Sequence, residues 1–133
     1  MTSEAERWLE LAADDLVMAE YALSQAIFRQ TCFHAQQAVE KALKGVLNAR
    51  LGTHPKSHSL EQLLLYNAAV HSELRKWQQQ CRSLDLFYIP TRYADALPGL
   101  LPAGEPTEED AERALQDAKA IVADIRERIG REK

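Results

Sequence analysis

The sequence predicts an all-α fold in a single domain that spans residues 1–133. Two observations support this prediction. Glycine and proline are scarce, with five of each in 133 residues, and the prolines lie outside the predicted helices. Apolar residues recur three and four positions apart along several stretches, which is the spacing of one face of an α-helix. A chain of this length is also long enough to bury a core of its own.

The predicted fold is organised around residues 32–51, which we expect to form one continuous helix at the centre of a bundle. Most of its apolar side chains fall on one broad face. Gln36 and Glu40 break this pattern, because Gln36 projects into the apolar face and Glu40 lies at its edge. A buried amide or carboxylate costs about 1–3 kcal/mol unless it finds partners. We therefore expect a polar pair satisfied by a neighbouring helix, and a direct ligand site is the alternative.

Capping residues predict where the helices begin and end. Ser3 is a natural N-cap for the first helix, which runs to about Leu23. Gly52 is a natural end for the central helix. Ser59, with a glutamine three residues later, begins a short third helix. Thr107 caps the last helix, whose first turn is acidic as the helix dipole favours.

The fourth helix is predicted from Ser72 to about Phe87, and Pro90 prevents its continuation. The edge of this helix near Trp77 and the leucines within residues 97–101 are candidates for exposed apolar surface. Small bundles often bury such surface between two copies. We therefore expect the protein to self-associate.

Charge is distributed unevenly along the chain, whose formal net charge is −4. Residues 40–92 hold eight bases and four acids, whereas residues 1–39 and 93–133 are each acidic. An acidic chain with a basic middle is not typical of a general nucleic-acid binder, although it can present one local phosphate site. The alternative is a solvated helix face. The neighbouring Asp14 and Asp15 are expected to be surface charges.

Several classes of protein are disfavoured by what the sequence lacks. It has no run of 18 apolar residues and no signal-peptide pattern, so we expect a cytoplasmic protein that does not act at a membrane. No metal cluster, nucleophile–base pair or glycine-rich phosphate loop can be assembled, so no metal or cofactor is expected. Cys32 and Cys81 are expected to be free thiols packed in the core.

Side chains with binding chemistry gather in two segments. Tyr88, Arg92 and Tyr93 surround the end of the fourth helix, and Lys56 and His58 precede the third. An arginine in a proline-bounded turn can bind phosphate through two hydrogen bonds. Neighbouring tyrosines can stack on a base and offer hydroxyl groups. The sequence therefore predicts a ligand site here. In the alternative for His58, this histidine only fixes the start of the third helix.

Two further features bear on this predicted ligand site. Lys41 and Lys44 lie on the predicted polar face of the central helix, where they can extend the basic surface. In the alternative, the end of the fourth helix only closes the bundle. Arg92 is then paired with Glu40 or Asp85 in the core and takes no part in binding.

Four segments in this order resemble the HEPN domain, the higher eukaryotes and prokaryotes nucleotide-binding domain. They are WLELAADDLVMAE at 8–20, FHAQQAVEKALKG at 33–45, KSHSLEQLL at 56–64 and LDLFYIPTRYADA at 84–96. The resemblance covers essentially the whole chain. It implies a four-helix up-and-down bundle with an additional short helix, often a homodimer, and an association with a small nucleotidyltransferase.

Members of this family divide between proposed nucleotide binders and ribonuclease toxins. The toxin branch carries an arginine followed by a histidine after four to six residues, often with a tyrosine two positions on. Arg29 and His34 match this spacing, but Gln36 stands in the tyrosine position. Five positions turn a helix by about 140°, so the two side chains converge only if Arg29 precedes the helix.

Two functions follow as expectations, with a purely structural partner subunit as a third. The first is a non-catalytic module that binds a nucleotide or a nucleotide-like phosphate and acts with a nucleotidyltransferase. Replacing Arg92 by alanine would then abolish binding while the fold survives. The alternative is the ribonuclease toxin of a toxin–antitoxin pair, which would act on RNA through Arg29 and His34.

Overall fold

The computed structural model describes residues 3–69, 71–88 and 105–131, and these residues are helical without any strand. The elements in chain order are α1 (Glu4–Ser24), α2 (Phe28–Leu51), α3 (Leu60–Ala68), a 3₁₀ helix (Ser72–Trp77), α4 (Gln78–Asp85) and α5 (Glu108–Arg131). This architecture confirms the predicted all-α bundle with a short additional helix, α3. No helix within the described ranges is long and apolar enough to cross a membrane.

Helix α2 lies at the centre of the bundle, as the sequence predicted. It contacts α1, α3, α4 and α5. Its apolar face supplies Val39 and Leu43, which are fully buried in a core shared with leucines of α3 and isoleucines of α5. A helix surrounded in this way has little exposed surface, so a polar residue on it must find partners inside the protein.

The helix ends follow the capping residues. The hydroxyl groups of Ser3, Ser59 and Thr107 each accept a hydrogen bond from the backbone amide three residues later, at 3.1–3.2 Å. The Asp110 carboxylate returns the contact by accepting from the Thr107 amide at 2.9 Å. At the other end of α2, Gly52 has φ +74°, a left-handed conformation that glycine adopts at little cost. These predicted boundaries are confirmed.

The predicted fourth helix differs from the observed structure. Its first part, Ser72–Trp77, is a 3₁₀ helix, and only Gln78–Asp85 is α-helical. Ser72 is the first residue of the 3₁₀ helix and His71 is its N-cap, without a side-chain capping bond. The Trp77 indole donates to the Asp124 carboxylate of α5 at 2.8 Å. Trp77 is thereby half-buried against α5 and packs on the core.

Helices α1 and α2 approach each other closely at Gly45. A Cβ atom at this position would lie 2.9 Å from Trp8 Cγ, and closer still to Trp8 Cβ. Real Cβ atoms almost never make contacts shorter than 3.0 Å. Glycine at position 45 is therefore required by the packing of α2 against α1.

The two cysteines are free and buried in the core, as predicted. Burial raises the pKa of the Cys32 thiol from 9.0 to about 12, with a smaller contribution from Asp110. Burial likewise raises the pKa of the Cys81 thiol to about 12, with smaller contributions from nearby carboxylates. The folded protein therefore keeps both thiols protonated at a pH where the unfolded chain ionises them.

This difference predicts a loss of stability in alkali. The pKa of each thiol is higher in the folded protein than in the unfolded chain. Its contribution to the free energy of unfolding is therefore intact below pH 9 and declines as the pH rises towards 12. The free energy of unfolding should fall by about 2 kcal/mol between pH 9 and pH 10 from the two thiols together. Denaturant titrations at these pH values measure the fall, and the Cys32→Ala/Cys81→Ala variant should show a shallower one. Equal slopes in both proteins would contradict the prediction.

Candidate functional site

Three polar side chains stand one turn apart on α2, inside the bundle. Gln36 is 0% exposed, Glu40 6% and Lys44 9%. The Glu40 carboxylate accepts from Lys44 Nζ at 3.0 Å and from Gln36 Nε2 at 3.4 Å. The polar pair expected at Gln36 and Glu40 is present, but its partners do not come from a neighbouring helix as expected. One partner is Lys44 of α2 itself, which the sequence had placed on the polar face, and the other is His58 in the loop before α3.

The loop before α3 brings His58 onto this buried carboxylate. His58 Nδ1 lies 3.2 and 3.3 Å from the two Glu40 oxygens. Gln36 Nε2 donates to the His58 carbonyl at 3.1 Å, so α2 holds both the backbone and the ring. Since a carboxylate can only accept, we assign the proton of this contact to Nδ1. Fixing one ring nitrogen in this way leaves Nε2 as an acceptor when the imidazole is neutral.

Tyr88, three residues beyond the end of α4, covers one face of the His58 ring. The two ring centroids are 4.6 Å apart and the planes are inclined by 14°, which is a stacked arrangement. Tyr88 is buried, whereas the His58 side chain is 51% exposed. The imidazole is therefore held from below by Glu40 and from one side by Tyr88, and it remains open to solvent elsewhere.

Asp85, the last residue of α4, caps the start of α3. Its carboxylate accepts from the Leu60 amide at 2.6 Å, the Glu61 amide at 3.2 Å and the Ser59 hydroxyl at 3.3 Å. Burial raises the pKa of Asp85 above its usual value, although these three hydrogen bonds act in the opposite direction. The positive end of the α3 dipole is thus already neutralised by a carboxylate of the same chain.

An open cavity of about 290 Å³ lies between the start of α3 and the end of α4. Its lining residues are His58, Ser59, Asp85 and Tyr88. We call it the His58 cavity. It combines a stacked imidazole, a hydroxyl group and a carboxylate, which are groups that bind a small polar ring. No group of three His, Cys, Asp or Glu side chains suited to a metal ion occurs among residues 3–69, 71–88 and 105–131.

The structure brings together some of the site residues predicted from the sequence. His58 and Tyr88 are in contact, and Lys44 touches the carboxylate that orients His58. Lys56 is exposed in the same loop, two residues before His58. Arg92 and Tyr93 lie outside the described residues.

Asp15 was predicted to be a surface charge, and this prediction is wrong. It is only 7% exposed, and it accepts from His34 Nδ1 at 2.9 Å and from Lys41 Nζ at 2.5 Å. Burial alone would raise the pKa of Asp15, but the hydrogen bonds from His34 and Lys41 outweigh it and lower the pKa below its usual value. Lys41 is therefore engaged in a contact between α1 and α2.

Arg29 and His34 both lie within α2, so Arg29 does not precede the helix. Arg29 faces Glu105 at 3.8 Å, and both side chains are more than half exposed. His34 instead faces the buried Asp15. Within one chain, the two side chains point to different neighbours and do not converge.

Three residues of the cavity region were not included in the predicted site, and one of them, Ser59, was expected only as the N-cap of the third helix. Glu40 was recognised as an irregularity of the apolar face, but the sequence did not reveal that His58 would reach it. Asp85 was considered only as a partner for Arg92. A signal for Glu40 was available, because residues 36, 40 and 44 are polar at four-residue spacing on a helix that is otherwise buried. No comparable signal marks Asp85.

Comparison with known proteins agrees with this fold. The family model described as HEPN domain matches residues 5–128. The chain belongs to the HEPN domain family.

Two solved structures are similar to this chain. TT1696 from Thermus thermophilus is 36% identical with a TM-score of 0.80, over 96% of this chain and 98% of that chain. ST0689, described as an archaeal HEPN homologue, is 29% identical with a TM-score of 0.71, over the same shares of the two chains. A protein of Methanocaldococcus jannaschii named "Putative toxin MJ1304" is 27% identical, over 92% of this chain and 86% of that protein.

Proposed function

We propose that this protein is a helical module that binds a nucleotide at the His58 cavity. The observation that carries the proposal is the His58 ring, which is oriented by a buried carboxylate and stacked on Tyr88, yet half exposed. These contacts hold the ring in one orientation, so little ordering is needed when a ligand binds. Aromatic rings presented in this way are platforms for bases.

Neighbouring residues support a ligand that carries phosphate. Lys56 is exposed in the loop that carries His58, and an ammonium group there can attract a phosphate. Arg92 and Tyr93 follow Tyr88 by four and five positions in sequence. They remain part of the proposal as groups that extend the site, with Arg92 as a phosphate ligand.

The proposed module acts with a partner. The HEPN resemblance implies a small nucleotidyltransferase, whose substrate or product would be the nucleotide held here. It also implies a homodimer. Light scattering gives the mass of the purified protein and tests for the homodimer. The same measurement after co-expression with a nucleotidyltransferase encoded beside it in the genome tests for the second association.

Nucleotide binding is tested by thermal shift with adenine and guanine nucleotides. A ligand at 100 times its Kd should stabilise the protein by about 2.7 kcal/mol, which raises the Tm by several degrees. We expect this shift to fall by about half or more in His58→Ala, because the stacking surface is lost and binding weakens about tenfold or more. Arg92→Ala should weaken binding as well.

His34→Ala is the matched control for His58→Ala, because it removes a histidine that is also held by a buried carboxylate. Each variant is compared with its own Tm without ligand, so that a change in stability is not mistaken for a change in binding. The His34 variant should retain the full shift. Equal shifts in the wild type and His58→Ala would place the ligand elsewhere, and no shift with any nucleotide would refute the proposal.

The second candidate function is a ribonuclease toxin. It is favoured by the relative named as a toxin, which matches 92% of this chain. Since Arg29 and His34 do not converge within one chain, such an activity would need groups from a second copy or from another part of the molecule. Growth arrest on expression, relieved by His34→Ala, would support this function. Harmless expression, with no RNA cleavage by the purified protein, would remove it.

A further inference from the structure

The His58 cavity is poorly suited to a phosphate group. The natural anion site beside it is the start of α3, where free backbone amides would otherwise bind an oxyanion. Asp85 already accepts from the Leu60 and Glu61 amides, and from the Ser59 hydroxyl. A phosphate entering the cavity would meet a carboxylate in place of these donors.

The same cavity is well suited to a flat ring. One face of the His58 imidazole is covered by Tyr88, and the side chain is nevertheless 51% exposed. A base placed on the ring face opposite Tyr88 would extend the stack from two rings to three. Because Glu40 and Gln36 fix the imidazole from the α2 side, little ordering of His58 is needed when the ligand arrives.

The size of the cavity also favours part of a nucleotide over the whole molecule. Its volume is about 290 Å³. Pockets that enclose drug-sized ligands measure about 300–1,000 Å³. A base fits this space, and the remainder of the nucleotide would extend outwards, where the exposed Lys56 stands in the same loop.

The polar atoms around the cavity are mainly acceptors. A carboxylate offers about four lone-pair positions, and three hydrogen bonds to Asp85 leave about one of them unused. His58 Nε2 is an acceptor as well on the neutral ring, but its lone pair lies in the ring plane and does not point at a base stacked on the ring face, so Asp85 is the acceptor that such a base meets. A ligand edge that donates hydrogen bonds matches these atoms better than one that accepts them.

From these observations we infer that the His58 cavity receives the base of the nucleotide, not its phosphate, and that it prefers a base with an exocyclic amino group such as adenine. The inference rests on the proposed function and adds to it the part of the ligand that is recognised. It assigns base stacking to His58 and Tyr88, and base discrimination to Asp85.

Calorimetric titration of the full chain with ATP, adenosine, purine riboside and inorganic triphosphate tests the inference. We expect adenosine to bind without any phosphate, and to bind about tenfold more tightly than purine riboside, which lacks the amino group and gains no other donor. In the wild-type protein, adenosine should also shift the NMR resonances of the His58 ring protons through the ring current of the stacked base.

Two variants separate stacking from discrimination. His58→Leu removes the aromatic ring and should weaken adenosine binding about tenfold or more, in line with the usual contribution of a stacked base. Asp85→Asn leaves the His58 ring in place but replaces one carboxylate oxygen by an amide nitrogen. It should retain most of the adenosine affinity and lose most of the preference over purine riboside.

The outcomes distinguish the two proposals. If ATP and triphosphate bind while adenosine does not, the nucleotide-binding function stands and the inference about the base is overturned. Equal binding of adenosine and purine riboside would overturn the amino-group preference. If none of the four compounds binds to the wild-type protein, both proposals fail. The wild-type titrations decide these points even if either variant does not fold.

Discussion

Glu40→Ala is expected to lower the free energy of unfolding by about 3–5 kcal/mol, the usual cost of breaking a buried ion pair. Lys44 would keep its charge in a site where its side chain is only 11% exposed, and its carboxylate partner at 3.0 Å would be gone. Gln36 and His58 would each lose one hydrogen-bond partner as well. Urea unfolding followed by circular dichroism measures the loss.

Two further variants test this explanation. In Glu40→Leu/Lys44→Met both charges are replaced by apolar side chains, and we expect most of the lost stability to return, because no unpaired buried charge remains. Glu127→Ala removes the acid of another four-residue-spaced pair, with Arg131, whose two side chains are more than 60% exposed. It should change stability by less than about 0.5 kcal/mol. A Glu40→Ala effect as small as that of Glu127→Ala would show that the buried pair contributes little.

Gly45→Ala should lower the free energy of unfolding by about 2–3 kcal/mol, at the upper end of the usual cost of overpacking a core. The added Cβ would lie 2.9 Å from Trp8 Cγ and even closer to Trp8 Cβ, so α1 and α2 would have to move apart. Rotation of the Trp8 side chain cannot relieve the contact, because Cβ does not move when the side chain rotates. The Tm should fall by roughly 10 °C for a domain near this size.

Gly130→Ala is the matched control, because Gly130 also lies in a helix and a Cβ there would meet nothing within 4 Å. Alanine is the better helix former, so stability should be unchanged or raised by at most about 1 kcal/mol. Differential scanning calorimetry of both variants makes the comparison. A Gly45→Ala variant as stable as Gly130→Ala would mean that the two helices can separate without cost.

The ends of the helices were predictable because capping is local chemistry. Ser3, Ser59 and Thr107 each accept from an amide three residues away, and the sequence shows both members of each contact. The central position of α2 was predictable from its broad apolar face. The partner of Trp77 was not, because its hydrogen bond to Asp124 joins residues 47 positions apart.

The candidate site was predictable only in part, because it also depends on contacts between residues that are far apart in the sequence. His58 and Tyr88 were both expected to contribute, but their stacking depends on how two loops meet. The burial of Asp15 depends on His34 and Lys41 of another helix, and a single carboxylate on a helix gives no sign of such partners. Contacts between distant segments thus decide which polar side chains are buried.

The polar contacts of α2 also fix the alignment of the helices along their axes. Apolar side chains of similar shape can often slide past one another, and a stripe of alanines and leucines sets the register only weakly. A shift of α1 by one helical turn would displace Asp15 by about 5.4 Å from His34 and Lys41. The same shift of α2 relative to the loop before α3 would separate Glu40 from His58. The carboxylates of Asp15 and Glu40 thus favour one helix register over registers shifted by one turn during folding.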